Sequence, residues 1–279
     1  MRFGQIRFDN KITAALFEGG QARPIPGYSM VELIRKAEAE ATPLAELAAQ
    51  MASRHSEPCV PLIPINPMEV WACGCTYQEN AEVQGAPDPN GVYAQAQVKA
   101  RPVIFFKGTA RVCVGPGQPV GIRFDSGFTA AEPALALVLG RKGKILGYTL
   151  ANDVSAWDIE RENPLYLAQS KFYTGCCALG PMIVTPDELP ELSGLEMSCT
   201  VLRDGQRHFF DSVPLARLAR SEAGLLEYLL RANPVPAGSV LLTGTGVKIT
   251  EDAALSPGDT VVVRIPEIGE LSNPAAVVQ

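Results

Sequence analysis

Three side chains in the middle third of the sequence have the types and placement that metal-assisted acid–base chemistry needs. Glu132 stands just before the apolar run Leu135 to Leu139. Asp153 ends the stretch that begins at Gly147, and Lys171 follows a loop holding Glu160, Glu162, Asn163 and Pro164. Acidic groups at strand ends facing one cleft suit a hard divalent cation, because Mg²⁺ takes oxygen ligands and keeps waters that a substrate can replace. A lysine beside such a site would feel the cation and partial burial, and each lowers its pKa toward that of a usable base. Spacing alone leaves a second reading open. Asn152-Asp153 after a strand also suits a turn or helix cap, and a single Glu or Lys is usually a solvated surface group.

Other reactive side chains are less well placed. Cys73 and Cys75 make only a Cys-x-Cys, Cys176 and Cys177 are adjacent, and no histidine stands near them to complete a zinc site. Alternating core positions explain these cysteines better. The chain has 2 histidines, His55 in a polar segment and His208 flanking a strand-like run. Both read as surface or structural groups.

The elements that must position these groups fall into two units. Residues 1–67 open with strand-like alternation at Arg2 to Phe8 and Ala14 to Glu18, then carry apolar residues at helical spacing from Met30 to Met51. Pro58 to Pro67, rich in proline, reads as a linker, so the first unit is a small N-terminal α/β domain. Residues 68–279 hold many short apolar runs, including Val103 to Phe106, Leu135 to Leu139, Ile145 to Leu150, Met182 to Val184, Glu196 to Arg203, Val240 to Leu242 and Thr260 to Ile265. Asp204-Gly205 is a hairpin signal, and Gly224 to Arg231 is the one clear helix of this unit. The fold class expected is α+β, mostly β.

Bulk properties exclude several functions. With 24 Lys and Arg against 30 Asp and Glu, a net charge of −6 and no basic run, nothing marks a nucleic-acid or anionic-membrane partner. No apolar stretch is long enough to span a bilayer. No signal-peptide core is present, and 7 scattered cysteines do not form a disulfide framework, so the expected setting is the cytoplasm.

Several ordered motifs then converge. Gly147-Tyr148-Thr149-Leu150-Ala151-Asn152-Asp153-Val154-Ser155-Ala156-Trp157-Asp158 resembles the signature Gly-Tyr-Thr-Val-Ala-Asn-Asp-Val-Ser-Ala-Arg-Asp of the fumarylacetoacetate hydrolase superfamily. Lys171 before Gly180-Pro181 resembles its Gly-Lys-Ser-Phe-Asp segment ending in Leu-Gly-Pro. Leu242 to Gly246 resembles its Thr-Gly-Thr-Pro loop, and Gly269 to Asn273 its closing strand. The resemblance runs from about Val70 to the C-terminus. It implies a mixed β-sandwich roll, usually a homodimer or higher homo-oligomer. It also implies Mg²⁺ or Mn²⁺ held by a Glu-x-Glu pair and the Asp of Asn-Asp-Val-Ser, with an α-keto acid as substrate.

Two departures refine that implication. The Glu-x-Glu pair reads Glu132-Pro133-Ala134, so Ala134 occupies the third ligand position, by natural variation or an introduced change, leaving Glu132 and Asp153 to bind the metal more weakly. Hydrolytic members use a His that here is matched by Asn80, which removes their water activator. Phe105 to Thr109, Val114 to Gly117 and Glu162 to Lys171 instead resemble the branch that dehydrates 2-keto-3-deoxy pentonates to α-ketoglutarate semialdehyde. The resemblance makes Lys171 the base at C3, with Glu79 or Glu82 as candidate acids, or else part of a charged helix face. Thr243, Gly244 and Thr245 would donate to the substrate carboxylate, or form only a tight turn. Lys107 would line the site, or guard a strand edge. The alternatives are a hydrolase of a 2,4-diketo-3-deoxy sugar acid and an inactive, ligand-binding relative.

Overall fold

A strand covered on both faces must be apolar at every position, since neither alternating set of side chains reaches water. Pro133–Leu139, with every residue buried, is such a strand. Leu135, Leu137 and Leu139 point into one core, and Ala134, Ala136 and Val138 into another. The computed structural model describes residues 1–77, 95–96 and 99–279. Within them Pro133–Leu139 lies near the middle of a mixed sheet of 11 strands.

Its antiparallel neighbour Ile145–Asp153 pairs in turn with Cys177–Val184, and its other neighbour is Ser239–Leu242. Ser239–Leu242 runs parallel to Val70–Gly74, which pairs with Val103–Gly108 at the sheet's far side. A second sheet of 5 strands, ordered Gln206–Pro214, Glu196–Arg203, Thr260–Ile265, Gly269–Val278 and Val120–Arg123, packs over one face of the first. The expected α+β, mostly β architecture is present, with one core between the sheets. The second core lies between the large sheet and the helices Met30–Ala39 and Leu44–Met51.

The helical spacing from Met30 to Met51 resolves into two helices. The first starts at a capping box in which Ser29 and Glu32 exchange hydrogen bonds, and Pro43 at the entry to the second prevents one continuous helix. The N-terminal strands extend the large sheet, because Arg2 and Phe3 pair with Val184 and Ile183. Asp204 and Gly205 both have positive φ, as the hairpin signal requires. Glu222–Leu229 is the helix expected near Gly224, begun by a Ser221 cap. Two further short helices, Trp157–Glu162 and Leu167–Lys171, stand where the sequence reads as a loop.

Candidate active site

Backbone pairing of two strand ends brings the acidic residues together. The amide of Asp153 donates to the carbonyl of Glu132 at 2.8 Å. The Glu132 amide in turn donates to Oδ1 of Asn152 at 2.9 Å. Asn152 is therefore neither turn residue nor cap; its side chain fixes the backbone of Glu132. The side chains of Glu132, Asp153 and Lys171 line a single cavity, together with Trp157 and Glu160.

Within that cavity Glu132 accepts several bonds. Ser155 Oγ donates to Oε2 at 2.6 Å, Trp157 Nε1 donates to Oε1 at 3.2 Å, and Lys171 Nζ donates to Oε2. Lys171 also donates to Ser155 Oγ at 2.7 Å and lies 3.6 Å from Oε2 of Glu160. Lys107 is fully buried, donates to the Val154 carbonyl at 2.8 Å and sits 2.5 Å from Oδ1 of Asp153. A buried lysine paired in this way is no strand-edge guard. Three carboxyl groups thus face two lysine amino groups in a region shielded from water.

The electrostatics follow from this crowding. Burial pushes the Glu132 carboxyl up, offset in part by Lys171, while Asp153 and Glu160 push it further in the same direction. Burial alone would lower Lys171, but Glu132, Glu160 and Asp153 outweigh it and raise the ammonium well above its ordinary value. The expected lowering of Lys171 is thus reversed among the protein's own charges, because the sequence does not reveal how many carboxylates surround it. Burial also pushes the Cys75 thiol up to about 11, which keeps this cavity-lining cysteine protonated and unsuited as nucleophile or metal ligand.

The remaining candidates are placed as follows. Gly244 and Thr245 line the cavity. Gly244 has φ +93, and a Cβ there would lie 2.4 Å from Thr76 Oγ1, so only glycine fits. Thr243 points elsewhere: its hydroxyl donates to the Leu135 carbonyl at 2.9 Å and its own carbonyl accepts from Thr76 at 2.7 Å. Its side chain anchors the loop. Lys107 meets Asp153 and is not among the residues lining the cavity. Glu79 and Glu82, like Asn80, lie outside the described residues. His55 and His208 are exposed and away from the cavity.

Ala134 is fully buried in the apolar core with Ala136, Val138 and Ala151, and supplies no donor atom. Among the described residues no three His, Cys, Asp or Glu side chains form a metal cage. Asp153, its Oδ1 paired with Lys107, and Glu132 nonetheless face the same cavity. Two such carboxylates fit an ion that keeps part of its water shell, as Mg²⁺ does.

Sequence reasoning missed Glu160 and Trp157. They lie three residues apart on Trp157–Glu162 and share its inner face, while Arg161 on the outer side stacks over Trp157 at 4.9 Å and pairs with Glu251 at 2.7 Å. The i, i+3 pairing of Trp and Glu was the available signal.

Comparison with known proteins adds the following. The family model described as fumarylacetoacetate (FAA) hydrolase C-terminal matches residues 69–276. The 2-dehydro-3-deoxy-D-arabinonate dehydratase of Saccharolobus solfataricus is 43% identical over 220 residues, 76% of this chain and 72% of that protein. A probable 2-keto-3-deoxyxylonate dehydratase of Haloferax volcanii is 42% identical over 218 residues, 77% of this chain and 75% of that protein. A solved structure of 2-keto-3-deoxy-D-arabinonate dehydratase complexed with magnesium and 2,5-dioxopentanoate superposes with a TM-score of 0.84 at 32% identity, covering 100% of both chains.

Proposed function

The chain belongs to the fumarylacetoacetate hydrolase family, and on that premise we propose that it is a Mg²⁺-dependent dehydratase of a 2-keto-3-deoxy pentonate, giving α-ketoglutarate semialdehyde (2,5-dioxopentanoate). The observation that carries this reading is the convergence of Glu132, Asp153 and Lys171 on one cavity. Glu132 and Asp153 are the residues that would hold the ion. When bound, the cation supplies charge that the carboxylate and neighbouring carbonyl of an α-keto acid can chelate and that offsets the carboxylates now holding a proton on Lys171.

The chain's own residues supply the rest. Lys171, fixed by Glu132 and Ser155, is the group that removes the C3 proton. Gly244 and Thr245 offer backbone and hydroxyl donors to the substrate carboxylate, and Lys107 holds Asp153 from outside the cavity. Trp157 shields the Glu132 carboxylate from water and orients it through its indole N–H. On this reading the protein works as a homodimer or higher homo-oligomer in the cytoplasm, and Mn²⁺ can replace Mg²⁺.

The test is direct. Purified protein incubated with Mg²⁺ and 2-keto-3-deoxy-D-arabinonate should release 2,5-dioxopentanoate, and a chelator should stop it. Pyruvate formation from a 2,4-diketo-3-deoxy sugar acid instead would replace this reading with hydrolysis.

A further inference from the structure

Elimination of water needs two proton movements: one leaves C3, and one must reach the C4 hydroxyl as its bond to carbon breaks. Lys171 accounts for the first. The described part of the cavity holds one carboxyl group left over once the two proposed metal ligands are assigned, and that group is Glu160. Its residue is 6% exposed, and a carboxyl group is kept that far from water at a cost that its surroundings must offset. It is set three residues from Trp157 on the helix face that borders the cavity, and Lys171 contacts both it and Glu132. The Glu160 carboxyl therefore shares the Lys171 ammonium with Glu132. A substrate with C3 at Lys171 has C4 one bond away, within reach of a carboxyl 3.6 Å from that ammonium in the same cavity.

The geometry points to Glu160 as the catalytic acid that delivers a proton to the departing C4 hydroxyl, an inference that rests on the dehydratase reading. In the elimination the C3–H bond breaks and its proton goes to Lys171. The electron pair forms the C3–C4 double bond, the C4–O bond breaks, and the hydroxyl leaves as water with the proton of Glu160. The Glu160 carboxylate then takes a proton from C5 and the Lys171 ammonium returns one to C3, giving the C4–C5 enol. The enol becomes the aldehyde as its O–H proton is lost to water and C4 gains one from water. The Glu160 carboxylate and the Lys171 ammonium are then restored to their starting states.

A group that acts only by positioning Lys171 would affect both proton movements, whereas an acid at C4 affects one. The discriminating probe is 2-oxobutanoate, an α-keto acid with C3 hydrogens and no C4 hydroxyl, whose C3 signal fades in deuterium oxide as exchange proceeds. With Mg²⁺ present, Glu160→Gln is expected to lower dehydration of the pentonate by about 10²-fold or more, while exchange into 2-oxobutanoate stays within about threefold of the unaltered protein. Glu160→Asp, which keeps the acid one methylene shorter, should recover part of the dehydration. If Glu160→Gln loses dehydration and exchange together while Glu160→Asp restores both together, Glu160 positions Lys171 and is not the acid. Undiminished dehydration by Glu160→Gln also overturns the role. Unaltered protein that neither dehydrates the pentonate nor exchanges 2-oxobutanoate overturns the dehydratase reading, and this role with it.

Discussion

Lys171 touches Glu132, Ser155 and Glu160 at once, so its ammonium holds the polar half of the cavity together. Lys171→Met should abolish both dehydration and C3 exchange, a loss of about 10²- to 10⁴-fold by steady-state assay, because no other described side chain is placed to take that proton. It should also destabilise the fold by about 3–5 kcal/mol in denaturant titration, since Glu132 would be left as a buried charge without its cation. Ala134 offers the opposite experiment. A carboxylate at this fully buried position faces apolar neighbours unless an ion meets it. Ala134→Glu should therefore lower the melting temperature without metal, regain it with Mg²⁺, bind Mg²⁺ more tightly by calorimetry and raise turnover. An unchanged Mg²⁺ affinity would show that position 134 does not face the ion.

At the level of elements, Pro133–Leu139 carries the site and joins both cores, so its leucines matter more than their distance from the chemistry suggests. Leu137 is fully buried between the sheets, and Leu137→Ala should cost about 2–5 kcal/mol in denaturant unfolding. The second sheet has its own electrostatic tie. Asp259 would be raised by burial, but bonds from Arg203, at 2.8 and 2.9 Å, and from the Ser256 amide hold it below the usual carboxylate range. A depressed carboxylate stabilises the fold above its unfolded pKa of about 3.9 and loses that contribution as pH falls through its lower folded value. Asp259→Asn should thus weaken the protein by about 1–3 kcal/mol at neutral pH. It should also flatten the stability curve below about pH 4, measured by thermal unfolding across pH.

The same elements explain what could be read in advance. Runs such as Glu196–Arg203 and Thr260–Ile265 match the strands residue for residue, because period-2 patterning and strong turn signals act locally. Trp157–Glu162 and Leu167–Lys171 were read as loop because helices of 6 and 5 residues leave too little periodicity to detect. Glu160 went unrecognised with them. The convergence of Glu132 and Asp153 was legible through motif resemblance, whereas the number of carboxylates around Lys171 depends on how strands and helices meet in space.

For the whole molecule, the first 67 residues are not set apart from the sheet that bears the site. Arg2–Phe8 continues that sheet, and Leu33, Ile34 and Leu47 cover the face that includes Ala134 and Ala136. A single cooperative transition is expected in calorimetry, with calorimetric and van't Hoff enthalpies in agreement. Removing residues 1–67 should leave an aggregation-prone protein with an open strand edge at Cys177–Val184. Two separate transitions would show that the units fold independently.

The site also divides unevenly between its supports. Glu132 and Asp153 stand on paired strands in the core, whereas Trp157, Glu160 and Lys171 ride on two short helices joined through Leu165, which is 86% exposed. Such helices have little stability of their own, so their amides should open and trade hydrogen for deuterium minutes to hours before those of residues 133–153. A ligand bridging the two halves should slow exchange across 157–171 and leave the strands unchanged, so that occupancy can be timed from the helices alone.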